Sequence, residues 1–488
     1  MLAWLVAHSP LSRMRDRDAE LLQLGSIRIL VGVLCIARLV PTLWVSLYMF
    51  PPEADGAAPA LVVRGVWVLA LTAQVTVGFL TPLAVPVLIV AMREYELSTD
   101  AASLVTDMAS LVLTFLVLAG AGSTRSVDAW LMRKGGWPGS AVRTLYRMVG
   151  PPSLDGLAKL YVLSFLAYAL MHFGGAMHHW QTDAWTSRQA LAMVFSSSYL
   201  ARFWEPYRAL ELSWPSVALA AAANATAIQL LMQTLTPVLM FWRRTAPVAV
   251  VWGFLFTTSS MLLLQLNYLG AFEFLLWFAL FHRPRRHTGT PVLAPLRSRV
   301  ADKALHAFLI VCVTLFVMTD VATSSGLVTW EAPRLTSALR RVGLHAPDVF
   351  NDNDLGLGDQ WPVIYAGDRK ELLPFHGPNG ERLRWTQWSD VLFYSISNRW
   401  KNEFNERDLF DLSDDGVTRL RRLALFDHRR RGAIEGRYVV DYFQTRASHV
   451  DEPPSQRFDR VHLGSMTIVC SGAGAAAECS AVDAVASR

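Results

Sequence analysis

KLYVLSFLAYALMHFGGAMHHW, residues Lys159 to Trp180, is a nearly unbroken apolar run that closes on histidines and a tryptophan. At a rise of about 1.5 Å per residue, about twenty apolar residues in a helix match the hydrocarbon thickness of a bilayer. Aromatic residues and histidines at its end suit the headgroup layer. Comparable runs occupy about residues 21–48, 61–80, 82–97, 101–120, 215–241, 246–262, 264–281 and 304–323, with the quoted run itself at about 158–177. The second and third are split only by Thr81-Pro82, and 246–262 from 264–281 by almost nothing, so each of these pairs reads either as two spans or as one broken helix. Composition agrees: 52% hydrophobic residues, 17% charged residues and a mean hydropathy of +0.29 demand a lipid environment for a chain of 488 residues.

The loops between these runs alternate in charge. With the N-terminus inside, one set carries Arg13, Arg15 and Arg17, then Arg125 to Arg147, then Arg243 and Arg244, then Arg283 to Lys303, while the opposite set carries only Arg64, Arg93, Arg188, Arg202 and Arg208. That is the positive-inside pattern, and it accounts for the net charge of +5 without a nucleic-acid partner. An odd number of spans places residues beyond about 324 outside, in the periplasm or extracellular space. The sequence therefore predicts an interfacial N-terminal segment (1–20), an all-α bundle of about nine transmembrane helices (21–323), a small extracytoplasmic α+β domain (324–470) and a disordered Gly/Ala-rich tail (471–488). The outer domain has β-like runs at Trp361 to Gly367, Tyr438 to Phe443 and Met466 to Cys470, helix-like stretches at about 385–403 and 414–428, and a turn signal at His376 to Glu381. Cys35 and Cys312 read as small buried thiols, whereas Cys470 and Cys479 could close a short loop if that end faces an oxidising compartment.

No phosphate loop, nucleophile elbow, zinc motif or dinucleotide fingerprint is present, so function is sought among polar groups inside or beside the spans. Three clusters stand out. Arg93, Glu94, Glu96, Asp100 and Asp107 surround the third and fourth spans, with Arg93 paired to Glu96 or Glu94 as the bland account and Asp107 harder to dismiss. His172, His178 and His179 with Asp183 suit proton transfer or metal binding, against the plain alternative of interfacial residues at a span end. Gln265, Asn267 and Glu273 interrupt the run around the eighth span; the amides suit helix-to-helix hydrogen bonds, and the lone carboxylate Glu273 must be paired, protonated or wetted.

Five stretches resemble the horizontally transferred transmembrane domain family, to which the vitamin K-dependent γ-glutamyl carboxylases belong: Ile27 to Leu39, Gly78 to Val90, Arg125 to Gly136, Lys159 to Trp180 with Trp185, and Leu266 to Phe272. The resemblance implies a helical bundle holding a quinone-like or lipid ligand and an outer domain meeting a protein or peptide partner. It also implies departures. Where the carboxylases carry a lysine base this chain has His178 or His179; their Asn-His pair corresponds to Thr99 and Asp100, and a later histidine to Thr257 or Thr258. Two readings follow: a membrane-embedded binding or scaffold module that has lost the carboxylase lysine, or a membrane enzyme with His178 or His179 as base, oriented by Asp183 or Asp100, and Glu273 as a second polar contact. Neither requires a metal.

Overall fold

The computed structural model describes residues 4, 6, 9–12, 14, 16–49, 57–98, 104–197, 200–242, 244–265, 268–288, 291–327, 332–346, 360–373, 377–378, 414–445 and 460–486. Each apolar run becomes a helix: α1 (Arg17–Met49), α2 (Ala57–Val77), α3 (Thr81–Ser98), α4 (Leu104–Leu118), then the short α5 (Val127–Lys134) and α6 (Gly136–Val149), then α7 (Leu154–His179). Three short helices follow, α8 (Asp183–Thr186), α9 (Ala190–Ser196) and α10 (Trp204–Ser213), before α11 (Pro215–Leu239), α12 (Ala246–Leu263), α13 (Leu269–Phe281) and α14 (Arg299–Phe316), which continues through a π turn to Ser324. Among the described residues six helices are long and apolar enough to cross a membrane: Arg17–Leu43, Ala60–Val77, Leu154–His179, Pro215–Leu239, Ala246–Leu263 and Arg299–Ser324. The apolar helices α4 and α13 are shorter.

Burial identifies the centre. The most apolar stretch of α7 is 78% buried, against 22% for α2 and for α11, so α7 is the axis around which the others pack. Local chemistry sets the ends. Ser153 and Ser298 cap α7 and α14 by accepting from Gly156 N (3.1 Å) and Ala301 N (3.2 Å). Arg28, buried in α1, donates to the Thr76 carbonyl at the end of α2 and to the Arg125 carbonyl, both at 2.8 Å, so a cation satisfies the orphan oxygens of a helix terminus. The chain then turns at Gly78 and Leu80, both with positive φ, which makes α2 and α3 two helices. Likewise α12 and α13 are separate, divided where Leu264 pairs with Ala201 and Tyr268 takes a positive φ.

The expected pairing of Arg93 with Glu96 or Glu94 is replaced by pairing between helices. Arg93 and Glu96 both point inward, so each meets a partner from another helix: Arg93 pairs with Asp107, and Arg38 reaches Glu96 and Thr106 at 2.9 Å each. Asp107 also accepts from Arg340 at 2.9 Å, and Arg340 belongs to α15 (Pro333–Arg341). This moves the expected domain boundary. Residues 333–346 form a strap whose Leu339, Leu344 and Ala346 join the bundle core, instead of opening an outer domain at 324. Gly343, with φ of 85°, sits where a Cβ would lie 2.4 Å from Leu111 N, and Asp320 accepts from Ala346 N at 2.6 Å. The N-terminal turn Pro10–Ser12 packs on α7 with Leu11 fully buried.

Among the described residues the C-terminal unit is a five-stranded antiparallel sheet of β1 (Gln360–Ala366), β2 (Glu371–Leu372), β3 (Glu435–Thr445), β4 (Arg460–Ser471) and β5 (Glu478–Ala486), ordered β2-β1-β3-β4-β5 and covered by α16 (Asp414–Arg431). The three expected β runs and the 414–428 helix coincide with these elements; the 385–403 stretch and most of the His376 to Glu381 turn lie outside the described residues. The expected disordered tail is corrected. Residues 478–486 pair with β4 along its length, Cys479 stands opposite Cys470 and is joined to it by a disulfide, and the small Ala477 packs beside it in the sheet core. Cys35 and Cys312 are free and buried, as expected.

One pH dependence belongs to this sheet. Burial pushes the Asp441 carboxyl up, but the Arg369 guanidinium (2.9 and 2.7 Å) and the Ser465 hydroxyl (2.6 Å) outweigh it and hold the group below the ordinary aspartate value. A carboxyl depressed in the folded state contributes stability above its unfolded pKa and loses it as pH falls through the folded value. Asp441→Asn is therefore expected to melt lower than the parent at about pH 7, with the gap closing below roughly pH 4. Thermal melts across that range check this; a gap independent of pH contradicts it.

Candidate functional site

The C-terminal half of α7 presents His172, Gly175 and His179 on one face, at helical spacings of three and four. Opposite them α13 brings Glu273, α11 brings Gln229 and Gln233, and α12 brings Phe256, Ser259 and Ser260. With Trp185 and the leucines around it they line a partly open cavity of about 140 Å³ with mainly apolar walls. A cavity of that size accommodates a single aromatic ring.

Its polar wall is a buried pair. His172 Nε2 lies 3.2 Å from Glu273 Oε1, with side-chain exposures of 11% and 3%, so neither group has bulk water as an alternative partner. Tyr168 packs its ring on His172 at 4.4 Å between centroids, and its hydroxyl stands beside Glu273 and the Trp277 indole. Phe256 meets His172 edge-on at 5.5 Å, which fixes the imidazole plane. A carboxyl group alone in such a wall is costly, and the imidazole facing it supplies a hydrogen-bonding partner within the cavity wall. Further along the same face His179 lies flat on Trp185, 3.9 Å between centroids and 9° from parallel.

The opposite wall supplies a second polar point. Gln233 is 7% exposed, and its side-chain oxygen is buried with no hydrogen-bond partner among the described residues. Buried polar atoms are nearly always satisfied, so this amide is set to meet something that enters the cavity. Close helix packing brings the wall together: Gly253 of α12 sits against the Trp277 ring, where a Cβ would be 2.2 Å from it.

Among the residues singled out from sequence, His179 and Glu273 line the cavity. His178 is half-buried on a different face of α7, Asp183 is exposed, and neither lines it. Asp100, Thr99 and Asn267 lie outside the described residues. Thr257 is buried and bonds back to the Phe254 carbonyl, outside the lining. Gln265 donates to the Ala201 carbonyl at 2.8 Å, a structural role in the loop before α13. Among the described residues no group of three His, Cys, Asp or Glu side chains comes together to hold a metal. Two residues carry more than the sequence reading assigned them. His172, set there among three histidines, is the one paired to Glu273, and spacing along α7 separates 172 and 179 from 178. Gln233 was not singled out, although Gln229 and Gln233, four apart in an apolar helix, carry the signal.

No protein-family model, curated protein or solved structure matches the chain.

Proposed function

We propose that this multi-pass membrane protein binds a hydrophobic ring-bearing molecule, quinone-like or phenolic, in the bundle cavity, and that the His172–Glu273 pair accepts the hydroxyl proton of its phenol or quinol form. The single observation behind this reading is a buried acid–base pair turned into an apolar cavity, with Gln233 across from it. The order of segments resembling the carboxylase family supports the same ligand class, with His172 holding the proton instead of the residues matched to the family's lysine. A histidine needs a smaller shift than a lysine to be a neutral base near pH 7. In this reading the N-terminus is cytoplasmic, and the sheet with its Cys470–Cys479 disulfide lies in the oxidising periplasmic or extracellular space.

Binding of 2,6-dimethyl-1,4-benzoquinone to the protein in nanodiscs, followed by tryptophan quenching, tests the proposal. A saturable phase is expected, and Ser260→Phe, which fills the cavity without touching the pair, removes it. Quenching that rises linearly with lipid-partitioned probe, and equally in both proteins, contradicts it. A protein or peptide partner for the outer domain is a second reading, favoured by β5, which among the described residues is an edge strand and where Val482 is 58% exposed.

A further inference from the structure

At the end of the bundle remote from the cavity, α5 and α6 form a hairpin with a small core of its own. Met132, Val142 and Tyr146 pack with Ala294 of the segment that follows α13. Asp128, fully buried, fastens this unit to the turn between α2 and α3: it accepts from Leu80 N at 2.7 Å, Thr81 N at 3.1 Å and the Tyr146 hydroxyl at 2.8 Å. Ser298 N donates to the Arg147 carbonyl at 3.1 Å, which ties the hairpin to the start of α14. The hairpin is therefore rigid, and its position is fixed by the helices it hangs from.

Its outer surface is one-sided in charge. Residues 121–153 hold five basic residues and a single acidic one, Asp128, which is withdrawn into the staple just described. Arg133, Lys134, Arg143 and Arg147 are exposed. Among them stand Trp130, 51% exposed with the Lys134 ammonium 5.0 Å over its ring, and Trp137, 84% exposed. The hairpin departs from α4 and re-enters α7, an apolar helix and a candidate span, so it stays within a few residues of the bilayer on both sides. Exposed indoles beside unopposed cations, held against a membrane surface, match the chemistry of anionic headgroups: the rings enter the interface and the cations meet phosphates.

We propose that the α5–α6 hairpin is a docking surface for anionic phospholipid headgroups of the adjoining leaflet. Each cation near such a surface is worth about a fivefold preference, so four give a selectivity well above that of an ordinary lipid-facing helix. Two features suit the surface to anchoring rather than catalysis: its polar groups open to solvent, and its rigidity comes from Asp128 and the small core, neither of which a lipid needs to displace.

The test uses the full-length protein in mixed micelles containing equal phosphatidylcholine and phosphatidylglycerol, with retained lipid quantified by mass spectrometry after detergent washing. The expected result is retention of phosphatidylglycerol at least fivefold over phosphatidylcholine, falling towards parity in 0.5 M salt as screening predicts. The combined variant Arg133→Gln, Lys134→Gln, Arg143→Gln and Arg147→Gln is expected to retain the two lipids equally. Trp137→Ala, which leaves charge and core intact, is expected to reduce total retention while keeping the preference. Equal retention by the parent protein overturns the proposal, and so does a preference that survives in the fourfold variant. The salt arm needs no mutant, so a poorly folding variant does not leave the question open.

Discussion

Asp107→Ala is expected to destabilise the protein by about 3–5 kcal/mol, the range for breaking a buried ion pair by removing one partner. Asp107 is fully buried and is the shared acceptor of Arg93, whose side chain is 9% exposed, and Arg340. Without the carboxylate, Arg93 stays inside the bundle with its charge uncompensated, and the strap of residues 333–346 loses its ionic tie to α4. Most of the cost comes from Arg93, because Arg340 is 36% exposed and reaches water more readily. Replacing both members, Asp107→Leu with Arg93→Leu, is expected to cost less than the single change, since no buried charge is left behind. Equilibrium unfolding in mixed micelles measures both. A loss under about 1 kcal/mol for Asp107→Ala would show that the pair is hydrated, contrary to its burial.

The second large effect concerns ligand binding. Glu273→Gln keeps the size of the side chain but removes the charge that the His172 imidazole faces at 3.2 Å. A hydrogen bond to a charged group contributes about 1.5–3 kcal/mol, so affinity for an ionisable ring ligand is expected to fall by roughly 10- to 100-fold. His172→Phe is expected to act in the same direction on affinity while further raising the apolar character of the wall. His178→Ala, on another face of α7, is expected to leave binding within about twofold, since changes away from a contact usually stay within about 0.5 kcal/mol. If His178→Ala and Glu273→Gln had equal effects, the pairing seen in the cavity would not be what sets affinity.

The helical architecture was legible because its signal is local. Apolar runs such as Lys159 to Trp180 declare a span without knowledge of any neighbour, and all of those runs became helices. The sheet was legible for the same reason at Tyr438 to Phe443, where apolar and aromatic residues crowd a short run. Partnership was not legible. Arg93 has Glu96 three residues away on the same helix, and sequence proximity favoured that pair, yet both side chains turn inward and find Asp107 and Arg38 from other helices. His172 and Glu273 lie 101 residues apart, so nothing local links them; only packing of α7 against α13 does. The tail was misread because its Gly/Ala composition suggests disorder, while what makes it a strand is pairing with β4 along its length, a long-range register that composition does not encode.

Photolabelling addresses the central claim most directly. The full-length protein in nanodiscs would be irradiated with a diazirine-bearing phenol in the presence and absence of 2,6-dimethyl-1,4-benzoquinone, and the labelled peptides mapped. The account predicts labelling confined to peptides around residues 172–195, 229–233 and 256–273, protected by the quinone and absent in Ser260→Phe. Labelling spread along the lipid-facing sides of α2 and α11, unprotected and unchanged by that substitution, would contradict a ligand site in the bundle.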